Sequence, residues 1–201
     1  KMLSHASVIG TILNGYEVHN PYGKRAHHAS VAILTSMIDT HVADQINAIC
    51  KDLYHPKHVT LISGCSLRYQ AMRVAFPHER DALIVDATGP VTAVSLVRRG
   101  MLVAMSETTD DAPRTDTMMR TLGELAKSYP LPRTIFLLAR DPDIKQVAEA
   151  LNKIDFGLLW LSDNPPKVIP LLATHLTGLV HQTFAVAPDL PLLLMALYYQ
   201  Q

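Results

Sequence analysis

Three carboxylates are the residues of this chain best placed to do chemistry together. Asp86 ends the apolar run 82–86, Glu124 lies in a stretch with helical spacing, and Asp141 follows the apolar run 134–139. Brought to one point, such carboxylates bind two Mg2+ ions for phosphoryl chemistry. Each also has a plainer reading. Asp86 is a structural acid at a strand end, Glu124 sits between core positions and faces solvent, and Asp141-Pro142 has the pattern of an N-cap followed by proline at the first helical position. Ten histidines offer His27-His28, His55-x-x-His58 and His175 with His181, but none comes with a second ligand pair at familiar zinc spacing. They read as solvated loop residues. Ser63-Gly64-Cys65-Ser66 sits between an apolar run and a helical one. Position 68 is Arg, so the Gly-x-Ser-x-Gly elbow is not met, and Cys65 reads as a small packed residue. Arg98-Arg99 reads as a solvated hairpin turn and Met118-Met119 as core.

The elements that must position these residues follow from periodicity and punctuation. Residues 82–86, 91–97 and 101–106 are three successive strands, each bounded by Gly, Pro or charge. Thr88-Gly89-Pro90 joins the first two and Arg98-Arg99-Gly100 the second pair. Upstream, 8–18 is a strand turned at Asn14-Gly15, and Asn20-Pro21-Tyr22-Gly23-Lys24 is a turn. Residues 29–36 are a second strand. Asp39 caps a helix carrying Val42, Ile46, Ile49, Cys50 and Leu53 at helical spacing, which stops at His55-Pro56. Residues 59–63 are expected as a third strand, completing a β-β-α-β unit with an exposed sheet face suited to docking. A helix over 64–76 connects it to the remainder, which divides the chain into 1–64, a connector 65–80 and 81–201.

Downstream, 108–113 is a polar loop and Met118, Met119, Leu122, Leu125 and Ala126 mark a helix. Residues 134–139 are apolar on both faces, as a central strand is. A helix opened by Asp141 buries Ile144, Val147, Ala148 and Leu151. Residues 158–161 are expected as the last strand, followed by a Pro165-Pro166 turn and helices over 168–183 and 190–199.

Composition narrows the function classes. The chain has 201 residues, 48% hydrophobic, with 18 acidic and 18 basic side chains and no net charge. That argues against a dedicated nucleic-acid binder. Two cysteines form no disulfide framework and are expected to be free in a reducing cytosol. No run approaches the roughly 18 apolar residues of a membrane span. Lys1-Met2 reads as a trimmed start, with a native start expected outside this sequence.

The order β-β-β-α-β-α-β-α from residue 81 onward is the layout of the ribonuclease-H-like α/β fold, the building block of actin-like proteins. On these residues the chain resembles part of the bacterial actin-like proteins FtsA and PilM. Residues 8–63, with Leu13-Asn14-Gly15-Tyr16-Glu17-Val18 and Asn20-Pro21-Tyr22-Gly23-Lys24, resemble the SHS2-type β/α insert of that family. Residues 81–101 resemble its second phosphate hairpin, whose turn reads Asp-x-Gly-Gly-Gly-Thr-Thr-Asp. Aligned on Asp86, this chain keeps Asp86, Gly89 and Thr92 and carries Ala87, Thr88, Pro90, Val91 and Ala93 at the other places. Glycines let backbone N–H groups approach phosphate closely, and proline removes one N–H outright. The family's later adenosine-contacting Gly-Gly turn falls near Ala139-Arg140-Asp141-Pro142, where no Gly exists.

The resemblance therefore implies a non-catalytic actin-like scaffold or adaptor, without a cofactor, in a membrane-associated machine of cell division or type IV pilus assembly. Its partners would be proteins of that assembly or other copies of itself, not nucleic acid. Its place would be the cytoplasm, peripheral to the inner membrane. The alternatives are an ATPase fragment that binds ATP and Mg2+ through Asp86, Gly89 and Thr92, and a metal-dependent nuclease using Asp86, Glu124 and Asp141.

Overall fold

The computed structural model describes residues 1–18, 20–109, 114–160, 164–181 and 189–199. It divides into two compact units, Lys1–Ser66 and Leu67–Gln201.

In the first unit, β1 (Met2–Leu13) turns back through Asn14-Gly15 into the two-residue β2 (Tyr16–Glu17) and pairs antiparallel with β3 (Ala29–Ile38), giving the order β2-β1-β3. Asn14 and Gly15 both adopt positive φ, 51° and 85°, as a tight Asn-Gly hairpin requires. The Asn14 side chain then accepts from the amides of His27 and His28 at 2.9 and 3.1 Å, which holds the strand entry. Helix α1 (Thr40–Tyr54) is capped by Asp39, whose carboxylate accepts from the His41 amide. It ends at His55 in the left-handed conformation.

Residues 59–63, expected as a third strand of this unit, form none. They pair with neither sheet, and a β-branched segment without a hydrogen-bonded neighbour is not a strand. The apolar stripe of α1 is only partly packed: Ile46 and Cys50 are half-buried, while Val42, Ile49 and Leu53 are exposed, Leu53 at 66%. Among the described residues the unit fully buries only Ile9, Ala43 and Cys65 of its apolar side chains.

The second unit has a conventional core. After α2 (Gly64–Ala75), whose first residues precede the unit boundary, come β4 (Ala82–Ala87), β5 (Val91–Arg98) and β6 (Met101–Thr109) as an antiparallel meander. Helix α3 (Arg114–Ser128) leads to β7 (Thr134–Ala139), which pairs parallel with β4. Helix α4 (Ile144–Asn152) leads to β8 (Lys167–Pro170), parallel to β7. The strand order is β6-β5-β4-β7-β8. A three-strand meander extended by two parallel strands on the side of its first strand is the ribonuclease-H-like fold, the half-module of actin-like proteins.

Every residue of β4 is buried, as a parallel-paired strand covered on both faces must be. On one face Leu83, Val85, Ile135 and Leu137 meet Met118 and Leu122 of α3 and Ile144 and Leu151 of α4. On the other, Tyr69 and Met72 of α2 and Phe76 just beyond it line a small apolar void with Ile84, Val97 and Phe136, and the Phe76 and Phe136 ring centroids lie 4.8 Å apart.

Four further expectations differ from the structure. Residues 158–160 are not a strand: Phe156–Leu158 is a single 3-10 turn, capped by Asp155 accepting from the Gly157 amide at 2.9 Å; residue 161 lies outside the described residues. The fifth strand is β8, within the stretch expected to be helical over 168–183. There Val168 and Ile169 stand opposite Ile135 and Phe136, and Pro170 is tolerated because β8 is an edge strand. Only α5 (Ala173–Leu176) and the 3-10 turn Thr177–Leu179 are helical there, and 182–188 lie outside the described residues. The N-cap of α4 is Asp143, not Asp141. The Arg140 carbonyl takes the amides of Asp143 and Ile144, so Pro142 sits in the preceding turn rather than at the first helical position. The expected 108–113 loop begins later, since β6 runs to Thr109, and 110–113 lie outside the described residues. Helix α6 (Leu190–Tyr199) closes the chain.

Leu137 is fully buried at the centre of this packing. Leu137→Ala is expected to cost about 2–5 kcal/mol, read as a lower midpoint in urea unfolding at unchanged slope.

Candidate functional site

Asp86 lies at the C-terminal end of β4 and is 8% exposed. Both of its carboxylate oxygens are engaged. Oδ1 accepts from the Thr88 amide at 2.9 Å and from the Thr88 hydroxyl at 2.6 Å. That local bond pair folds the chain back on itself after the strand. Oδ2 forms an ion pair with Nε of Arg68, which projects from the first turns of α2. The Arg68 guanidinium also donates to the Thr88 hydroxyl at 3.2 Å. Asp86, Thr88 and Arg68 are thus a closed triangle, with the ion-paired side chains only 11% and 21% exposed.

The remaining members of the expected phosphate turn are arranged around this triangle. Gly89 is half-buried and Pro90 exposed. Thr92 is buried on β5 opposite Thr108, whose hydroxyl donates to its carbonyl at 3.4 Å. The Thr88 amide is committed to Asp86 and position 90 has no N–H, so two of the turn's backbone positions offer a phosphate nothing.

The three carboxylates are not assembled. Asp86 pairs with Arg68. Glu124 is exposed on α3 and pairs with Lys127 at 2.6 Å one turn on. Asp141 is exposed in the turn after β7. Asp86 stands beside Leu138 in the parallel register, so Asp141 follows at the same sheet edge, but the described residues contain no group of three or more His, Cys, Asp or Glu placed to hold a metal ion. The histidines join no such group. Cys50 and Cys65 form no disulfide, and Cys65 is buried. Arg98 is not simply solvated: it pairs with Asp81 at 2.8 Å and donates to the Pro130 carbonyl. Arg99 and Gly100 make the hairpin turn with φ of 52° and 79°.

A second feature lies on this sheet edge. A cleft of about 380 Å3 opens between the start of α3, the turn after β7 and α4, lined by Thr115, Met118, Arg140, Asp143 and Gln146 among others. Arg140 and Asp143 pair across its rim at 2.6 Å. The ends of parallel strands are where open α/β sheets bind ligands.

Sequence reasoning missed Arg68, noting it only as the residue that spoils an elbow motif. The available signal was a lone charge flanked by Leu67 and Tyr69 on a helix that packs under a buried acid.

No protein-family model matches the chain, and a search of curated proteins finds no match. Among solved structures, it is similar to the ethanolamine utilization protein EutJ from Carboxydothermus hydrogenoformans, at 15% identity and a TM-score of 0.36, over 70% of this chain and 55% of that one. It is also similar to the Aquifex aeolicus member of the Ppx/GppA family, at 17% identity and a TM-score of 0.34, over 68% and 49%. A type II variant of the Aquifex aeolicus Ppx/GppA phosphatase matches at 17% identity and a TM-score of 0.28, over 60% and 44%. The chain spans about half the length of these proteins. The fold rests on the strand order, not on these likenesses.

Removing either partner of the Arg68–Asp86 pair strands the other in a largely buried site. Arg68→Ala and Asp86→Ala are each expected to cost about 3 kcal/mol. The double variant should cost clearly less than the sum, because both singles delete one interaction. Additive losses in urea unfolding would show that the two side chains are not coupled.

Proposed function

We propose that this chain is a non-catalytic actin-like scaffold or adaptor in a membrane-associated assembly of the cell-division or type IV pilus kind. On this reading it resembles part of FtsA and PilM, and its first unit corresponds to their SHS2-type insert. The observation that supports the reading is the Arg68–Asp86 ion pair. In a working phosphate turn the acid serves a hydrated metal ion and the surrounding amides serve phosphate. Here the protein's own guanidinium takes the acid, Thr88 takes its other oxygen, and Pro90 removes a donor. Binding Mg2+ at Asp86 would require breaking a largely buried pair, which opposes binding by several kcal/mol in order of magnitude.

The partners are then proteins of the assembly, and the protein works on the cytoplasmic side, peripheral to the inner membrane. Among the described residues no helix is long and apolar enough to cross a membrane. The exposed apolar surface of the first unit suits protein contacts: twelve of the twenty exposed large apolar side chains among the described residues lie in it.

The second reading, an ATP-binding fragment using Asp86, Gly89 and Thr92, draws on the cleft beside Arg140 and Asp143 at the same sheet edge. Thermal unfolding with and without millimolar ATP and Mg2+ separates the two. The scaffold reading expects no shift. A ligand that binds the folded state well below its working concentration raises the melting temperature by several degrees, following RT ln(1 + [L]/Kd). Such a shift, lost in Asp86→Ala, would establish the degenerate turn as a nucleotide site and end the scaffold reading.

A further inference from the structure

The outer side of β3 is the least protected element of the molecule. It is an edge strand of ten residues, Ala29–Ile38, hydrogen-bonded to β1 on one side only. Strand edges in natural proteins are blunted by shortness, charge, proline or bulges. β3 has none of these: it carries no Asp, Glu, Lys, Arg or Pro, and both register irregularities of the pair fall on β1. The other side of the sheet is guarded, since β2 is two residues long and bears Glu17, and the rest of β1 is bent by those bulges. Alternate residues of β3 present Val31, Ile33 and Met37 at 53, 57 and 65% exposure.

We infer that β3 pairs antiparallel with β3 of a second copy of this chain about a two-fold axis, making one continuous six-stranded sheet. Three features select a second copy over an unrelated strand. An uncharged strand meets its own copy without like-charge repulsion, while its exposed apolar residues become cross-strand neighbours. The flanks are complementary in charge: Lys24 and Arg25 precede the strand, and Asp39 follows it. Antiparallel pairing centred on Ile33 brings the basic flank of each copy toward the partner's Asp39 at both ends, whereas parallel pairing sets like against like. A two-fold contact also closes on itself, and the guarded far edge stops further growth, so the product is a dimer rather than a fibre. The inference stands independently of the proposed function.

The test is sedimentation velocity of the full chain from low to high micromolar concentration, with circular dichroism and melting temperature as controls on folding. The wild type is expected to dimerise. Ile33→Lys and Ile33→Glu, each placing a charge on the exposed edge, should each weaken the dimer at least ~10-fold with the circular dichroism spectrum and the melting temperature of the dilute monomer unchanged. An equimolar mixture of the two should dimerise again, which a merely misfolded variant cannot do. A monomeric wild type at high micromolar concentration would overturn the inference. So would a dimer that survives Ile33→Lys, or one lost instead on Met195→Lys, which charges the exposed face of α6.

Discussion

A carboxylate at the end of a strand buried on both faces must be satisfied, and the second unit is arranged around how Asp86 meets that need. Water cannot reach it freely, so its charge is answered by Arg68 and its second oxygen by Thr88. Arg68 comes from α2, so the ion pair also fixes where that helix lies along the sheet. The neighbouring Tyr69 adds a second polar anchor, its buried hydroxyl donating to the Gly100 carbonyl at 2.7 Å. Beyond these anchors Met72 of α2 and Phe76, just past its end, meet Ile84 and Phe136. The apolar contact needs the polar ones to set its register, and the polar ones need the apolar layer to exclude water.

Four of the five strands of the large sheet were legible because their signals are local and agree with one another. β4 and β7 are apolar on both faces, which only a central strand covered on both sides satisfies, and both occupy central places. The turns at Asn14-Gly15 and Arg99-Gly100 announce themselves by residues that tolerate positive φ. Asp39 caps α1 as its position before a helical pattern implies. Element order then identifies the ribonuclease-H-like fold, since few sheets begin with a three-strand meander and continue by alternating helix and strand.

What was not legible depended on partners distant in sequence. Residues 59–63 have the composition of a strand, but composition cannot show whether an edge is offered to them. Lys167–Pro170 looked like the start of a helix because two prolines precede it and one ends it. It becomes a strand because the free edge of β7 stands beside it. Asp141 has the residue pattern of a cap, yet the chain first turns through the Arg140 carbonyl, which accepts from the amides of Asp143 and Ile144, and the helix starts two residues later. Asp86 was legible as the key acid of the turn. Its partner was not, because 18 residues of sequence separate two side chains that only the packing of α2 on β4 brings together.

On the proposed reading, the same separation explains how a phosphate turn can lose its ligand and keep its shape. The strand–turn–strand backbone is specified by Asp86 with Thr88 and by the alternation of β5, none of which requires phosphate. In a turn that binds a metal ion, the acid's charge is balanced only while that ion is present. With Arg68 in its place the charge is balanced at all times, at the covalent concentration of a neighbouring helix. On that reading Pro90 costs nothing, because the amide it removes has no phosphate to serve, and it restricts the unfolded turn. On the proposed reading, exchanging an external cation for an internal one is what separates a fixed scaffold from a nucleotide-driven machine built on the same sheet.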